Sequence, residues 1–255
     1  MCVRRFRAVA CVCSLAVFLA CLPAAACADI FQLSEKLRED TPLFRFELTY
    51  DQRPYSAEQS EQRTYDEESA FFYVHSIAVI REDTGSLVQR IDLNPAAESY
   101  DDSDDSQDKT LGFVLEDMNF DGYLDMRVMQ FVSAGSSIPY YCWLWDPAAQ
   151  RFVYNEALSA IPSPIFDSAT GQVHGFGVNG DSEYIETVYA YRGGAPVLVR
   201  RVTTGYDYGS GTMITTTEEL VDGQLQVTGT AKTPFLEQED EDMDLDDGDL
   251  GWLFY

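Results

Sequence analysis

Turn-forming residues punctuate this chain roughly every 20 to 30 residues, and that spacing limits what it can fold into. Asp83-Thr84-Gly85, Asp146-Pro147-Ala148, Asp167 to Gly171, Gly193-Gly194 and Asp222-Gly223 each sit between apolar runs. Those runs are short and partly alternating, as in Phe44 to Tyr50, Phe72 to Ile80 and Ile185 to Tyr191, which is the period of a half-buried strand. Strand, tight turn and strand make a hairpin. The sequence therefore predicts a mainly β fold, a small β-propeller-like fold built from hairpins, with a two-sheet β-sandwich as the alternative. Two stretches read as helical, Phe31 to Arg38 and Asn155 to Ala160.

The first 28 residues read as an export signal outside that fold. Arg4, Arg5 and Arg7 precede an apolar stretch from Ala8 to Leu22, and Ala26-Cys27-Ala28 forms an AxA-type cleavage site. Cleavage there leaves a periplasmic or secreted protein; a retained membrane anchor and lipid attachment through Cys27 are the alternatives. Five of the six cysteines belong to the signal, so the mature chain keeps Cys142 alone and forms no internal disulfide. Cys142 lies in the strand-like run Tyr140 to Trp145, which makes it a buried structural thiol rather than a nucleophile. Removing the signal also removes three arginines and no acid, taking the formal net charge from −26 to −29. Nucleic acid and anionic membrane need basic patches, so neither is expected as a partner. A cation or a basic protein suits such a surface.

The organisation that follows is a signal at 1–28, one mainly β domain at 29–236, an acidic segment at 237–249 and an apolar end at 250–255. The acidic segment carries nine acids and no base, and a second acidic stretch, Tyr100 to Asp108, carries five aspartates. Both are expected to be solvated chain. Leu250 to Tyr255 turns apolar and could dock back as a terminal strand.

Asp117-Met118-Asn119-Phe120-Asp121-Gly122-Tyr123-Leu124-Asp125 reads DxNxDGxxD. Oxygen side chains at positions 1, 3, 5 and 9, with glycine at 6, follow the ligand order of a calcium loop. Ca²⁺ takes six to eight oxygens, and short acidic side chains converge on it only if the backbone curls. Asp117, Asn119, Asp121 and Asp125 are the candidate side-chain ligands and the Tyr123 carbonyl a fifth. Val128 stands where an EF-hand has its bidentate glutamate, and the flanking runs read as strands rather than helices. Four side chains and one carbonyl leave the shell to be completed by a distant acid, water or a partner.

Catalytic patterns are thin. The two histidines, His75 and His174, lack paired zinc spacing, and no GxSxG, HExxH or phosphate-cradling glycine loop occurs. No catalytic residue stands out, and the chain is expected not to be an enzyme; a cell-wall or carbohydrate-active enzyme using an acid pair such as Glu183 and Glu186, or a purely structural calcium-stapled surface protein, is the alternative. Recognition is easier to place. Ser133 to Tyr141 and Gly205 to Gly211 are rich in Tyr, Ser and Gly, residues that give contact area and adaptable hydrogen bonds at low entropy cost. Ser136, Ser137, Tyr140, Tyr141, Tyr206 and Tyr208 are the candidate partner-binding residues.

Leu115 to Val128, followed by Trp143-Leu144-Trp145-Asp146-Pro147 and by Asn155-Glu156-Ala157-Leu158 with Phe166-Asp167, resembles a group of exported bacterial calcium-binding β proteins. That group includes periplasmic immunity proteins that inhibit lysozyme-like effectors, and the loop is also similar to those of FG-GAP repeats. The resemblance runs from about Gly112 to Gly177. It implies a small β-propeller-like fold, Ca²⁺ held by Asp117, Asn119, Asp121, Tyr123 and Asp125, and a protein partner, a basic lysozyme-like enzyme. It carries over no inhibitory residue.

Overall fold

The computed structural model describes residues 28–54, 70–101, 111–132, 137–180 and 183–234. The expected signal through Cys27, Ser136 and the segments at 237–249 and 250–255 lie outside the described residues.

Among the described residues fourteen strands follow one another as antiparallel meanders in three sheets, none closed into a barrel. The first sheet holds β1 (Asp29–Lys36), β2 (Leu43–Pro54), β3 (Ala70–Arg81) and β4 (Leu87–Asp101). The second holds β5 (Phe113–Glu116), β6 (Asp125–Met129), β7 (Tyr140–Asp146) and β8 (Arg151–Tyr154). After the short helix α1 (Glu156–Ser159) comes the third sheet, β9 (Ile165–Asp167), β10 (Gln172–Asn179), β11 (Glu183–Arg192), β12 (Ala195–Asp207), β13 (Thr212–Val221) and β14 (Gln224–Pro234). All five turn signals fall between paired strands, so the mainly β, hairpin-built fold expected from the sequence is what forms. Face-to-face sheets without closure fit a sandwich-type arrangement.

The second sheet is the middle layer, and the alternation along β7 shows why. Tyr141, Trp143 and Trp145 face the first sheet, where they join Phe44, Phe46, Leu48 and Val79 in one apolar cluster. Tyr140, Cys142 and Leu144 face the opposite way, towards Leu158, Ile161, Val173, Tyr189 and Tyr191. Successive side chains of a strand point to opposite faces, so a run that is apolar at every position has to be covered on both sides. Aromatic contacts knit the first interface: Phe44 meets Trp145 edge-on at 5.3 Å, and Phe46 lies 5.5 Å from Phe113 and 5.9 Å from Phe152.

On the opposite face the layer holds a charge. Arg127 Nε lies 2.5 Å from Glu116 Oε1 across the β5–β6 pair. The Arg127 guanidinium sits 4.3 Å from the Tyr140 ring centroid and donates to the Pro164 carbonyl at 2.8 Å. Burial pushes the Glu116 carboxyl above its usual range, against the pull of Arg127.

The chain start departs from the sequence reading. Asp29–Lys36 is strand, not helix, and pairs with β2 from Asp29↔Tyr50 to Lys36↔Leu43. A helix this short is marginal in water, whereas the edge of β2 satisfies the same backbone groups along the full segment. The second helical expectation holds: Asn155 caps α1, its side-chain oxygen accepting from the Leu158 amide at 3.0 Å.

Phe46 is fully buried between the first two sheets. Phe46→Ala is expected to lower unfolding stability by about 3 to 5 kcal/mol, measured by urea denaturation.

Candidate metal centre

Residues 117–124 connect β5 to β6, and their own side chains curl the loop. Asp117 accepts from the Asp121 amide at 3.1 Å through Oδ1 and from the Gly122 amide at 2.9 Å through Oδ2. Asn119 Oδ1 also accepts from the Asp121 amide at 3.1 Å, and its Nδ2 donates to Asp121 Oδ2 at 2.9 Å. Asp121 Oδ1 takes the Tyr123 amide at 2.9 Å. These are the local side-chain-to-backbone bonds that Asp and Asn form in turns. Phe120 and Gly122 carry the sharp bend at φ 62° and 85°, and Gly122 adopts that conformation without a Cβ penalty.

The third acid does something else. Asp125, fully buried at the start of β6, accepts the Met118 amide at 2.9 Å through Oδ2 and the Trp145 amide at 2.7 Å through Oδ1. It therefore latches the loop to β7. Burial pushes its carboxyl up to about 7 against the pull of those two amides, and the charges of Asp121 and Asp117 add to the rise.

Three further contacts fix the loop between layers. The Leu124 amide donates to the Leu37 carbonyl at 2.7 Å, and the Arg38 guanidinium lies 3.8 Å from the Tyr123 ring centroid. On the other side Met118 is fully buried, and Phe120 meets Tyr191 edge-on at 5.6 Å. The Tyr191 hydroxyl is buried with no partner among the described residues. Its pKa is raised by burial first, and Asp125 is the largest charge acting on it.

Among the described residues no group of three or more His, Cys, Asp and Glu side chains is placed so that it could hold a metal ion. The loop contributes two exposed-side carboxylates, Asp117 and Asp121, and one amide, Asn119, while Asp125 turns both oxygens to buried amides. The donor set still suits a hard cation, because every one of these oxygens keeps a second lone pair beyond the bond it accepts.

The residues nominated for partner binding do not form one surface. Ser137 accepts from the Val178 amide at 2.8 Å, tying the β6–β7 connection to the third sheet. Tyr140 is half-buried under Arg127, and Tyr141 packs with Trp143 and Tyr154 on the first-sheet side. Tyr206 and Tyr208 lie elsewhere, at the β12–β13 hairpin, their rings 4.4 Å apart and Tyr208 largely exposed. Cys142 is buried, and burial pushes its thiol up to about 12, as befits a structural residue.

No family model matches the chain. No curated protein matches it either. The fold is similar to a solved structure described as a Xanthomonas type IV secretion system related protein, at 18% identity over 79% of this chain and 99% of that one, with a TM-score of 0.49. A likeness at that level carries no argument about function.

Sequence reasoning misses Leu37 and Trp145, which receive the loop through their backbone. No side-chain pattern signals a backbone acceptor 87 residues away. Asp125→Ala leaves two buried amides without acceptors, at about 1 to 3 kcal/mol each. It is expected to lower stability by more than about 2 kcal/mol in urea unfolding with chelator present, a loss independent of metal.

Proposed function

We propose that this chain is an exported calcium-binding β protein that acts by binding rather than by catalysis. The loop at 117–125 carries the reading. Asp117, Asn119 and Asp121 would hold the ion through side-chain oxygens and Tyr123 through its carbonyl. Asp125 holds the loop's base against Trp145 and adds negative charge beside it. Three carboxylates repel one another within nine residues, and a bound divalent cation reverses that balance. The two side-chain turns that curl the loop support the same reading, since they preshape it at little entropic cost.

Calcium would then act as a clamp. The loop joins β5 to β6, latches β7 and touches the chain just after β1, so holding it still fixes the ends of two sheets. The β6–β7 connection, nominated for recognition, leaves the same hairpin. The formal net charge of −26 supports a basic protein as the partner. With the family resemblance, it supports a periplasmic inhibitor or immunity protein acting on a lysozyme-like enzyme. Among the described residues no helix is long and apolar enough to cross a membrane.

Calcium at a hundredfold excess over Kd is expected to add about 2.7 kcal/mol of stability, or about 5 to 10 °C in Tm for a chain of this size. Asp121→Ala is expected to abolish that rise. Equal melting temperatures in calcium and in chelator would sink the calcium reading.

In a turbidity assay on a bacterial cell-wall suspension, the protein is expected to slow clearing by added lysozyme in calcium and to lose that effect in chelator. Clearing at an unchanged rate rules out the inhibitor reading for that enzyme. Clearing by the protein alone establishes a wall hydrolase instead.

A further inference from the structure

The third sheet is wider than the part of it that is covered. Val173 of β10 and Thr187 of β11 are buried, but no residue of β12, β13 or β14 is. β12 and β13 are nonetheless interior strands of the sheet, paired along both edges. Strand neighbours close their edges, so it is their faces that stay open.

The register shows what the outer face carries. Directly paired residues share a face, so Phe176, Glu186, Val202 and Thr217 form one row across β10 to β13. Val178, Tyr184, Thr204 and Thr215 form the next. Side-chain contacts agree: the Phe176 and Tyr184 rings stack at 6.4 Å, and the Thr204 and Thr215 hydroxyls lie 3.1 Å apart. The opposite face is the covered one at β10, where a Cβ on Gly175 would meet Ile161 and a Cβ on Gly177 would meet Pro162. Glu186 carries the one charge in the two rows, and Tyr184 is 47% exposed. A contiguous open face of this kind marks an interaction site, and a sheet gains stability by burying it.

The chain carries a segment that suits this face. Leu250-Gly251-Trp252-Leu253-Phe254-Tyr255 has three aromatic rings and no charge. The other segments outside the described residues after the expected signal are charged, or small and polar. Reach is sufficient. β14 ends at Pro234, which pairs with Thr212, so the chain leaves the sheet close to the row that holds Thr215. Residues 235–249 extend to about 50 Å, whereas β10 lies about 19 Å from β14 at four strand spacings. A flexible tether of this length supplies an effective concentration in the millimolar range, which favours a segment of the same chain over a second copy. The nine acids at 237–249 favour water and do not compete for the apolar rows. The free edge of β14 is the poorer seat, because a register shift opposite Thr217, Lys232 and Pro234 all blunt it.

We propose that residues 250–255 fold back over the outer face of the third sheet, with the rings of Trp252 and Phe254 against Tyr184 and Val202. The acidic run is then a closed loop, and the open rows become an interior surface. The contact does not rest on the calcium reading.

The test follows the methyl resonances of Val178 and Val202 in the chain from Asp29 to Tyr255. Nuclear Overhauser contacts between the Trp252 indole ring and at least one of these methyls are expected, unchanged on dilution. Trp252→Ala is expected to abolish them and to shift the same methyls, while those of Val74 and Val128, fully buried elsewhere, stay in place. Val202→Glu is expected to remove the contacts from the sheet side; Val202 is half-exposed, so the substitution empties no core position. Methyl resonances that do not respond to Trp252→Ala overturn the proposal. Contacts that fade on dilution overturn it too and assign the face to a second copy.

Discussion

Strand β7 is apolar on both faces, and the burial of both faces organises the molecule. Tyr141, Trp143 and Trp145 need the first sheet, while Tyr140, Cys142 and Leu144 need the third. Neither neighbour alone would keep water off this strand. At about 25 cal/mol per Å² of apolar surface, aromatic residues of this size supply much of the driving force that holds the layers together. With Cys142 the free thiol among the described residues, that burial does the work that cross-links perform in many exported proteins.

The candidate metal loop is an extension of this layer. Asp125 opens β6 and spends its carboxylate on the Trp145 amide of β7 and the Met118 amide of the loop. A carboxylate held this way is costly to bury, and the cost is offset only because both oxygens are bonded. Apart from the buried Met118, the remaining loop residues are partly or fully exposed, and the loop shapes itself through Asp117, Asn119 and Asp121. Sequence position 9 of the motif thus has a structural duty, and positions 1, 3 and 5 are left as the candidate metal donors.

Tyr123 joins the loop to the first sheet. Its amide belongs to the loop, where Asp121 holds it, and its ring belongs to the wall of a cavity between the β1–β2 and β7–β8 turns, where Arg38 covers it. Trp145 also has two roles, its backbone N–H on Asp125 and its ring edge-on against Phe44 and Phe152. The loop therefore rests on supports that are rigid for packing reasons. Fixed geometry of that kind lowers the ordering cost of binding.

The hairpin pattern was legible because turns are local. Asp, Asn, Pro and Gly at a bend act through their own backbone preferences, so the five turn signals, the strands around them and the Asn155 cap could be read from neighbouring residues alone. The bend of the loop at 117–125 was legible for the same reason, since its curl is made by side chains two to five residues apart. The start of the chain was not. Phe31 to Arg38 carries a pattern that suits a helix in isolation, and only the free edge of β2 makes it a strand. The duty of Asp125 was hidden too, because its partner at Trp145 lies 20 residues on and is a backbone amide with no residue signature. The grouping of Asp40, Trp145 and Gln150 around one cavity likewise depends on two turns from different sheets meeting. What the sequence determined by itself are the elements whose forces act within a few residues. The tertiary structure alone decided which sheet lies in the middle, which acid is buried and what the cavity faces, because each of those depends on surfaces meeting from distant parts of the chain.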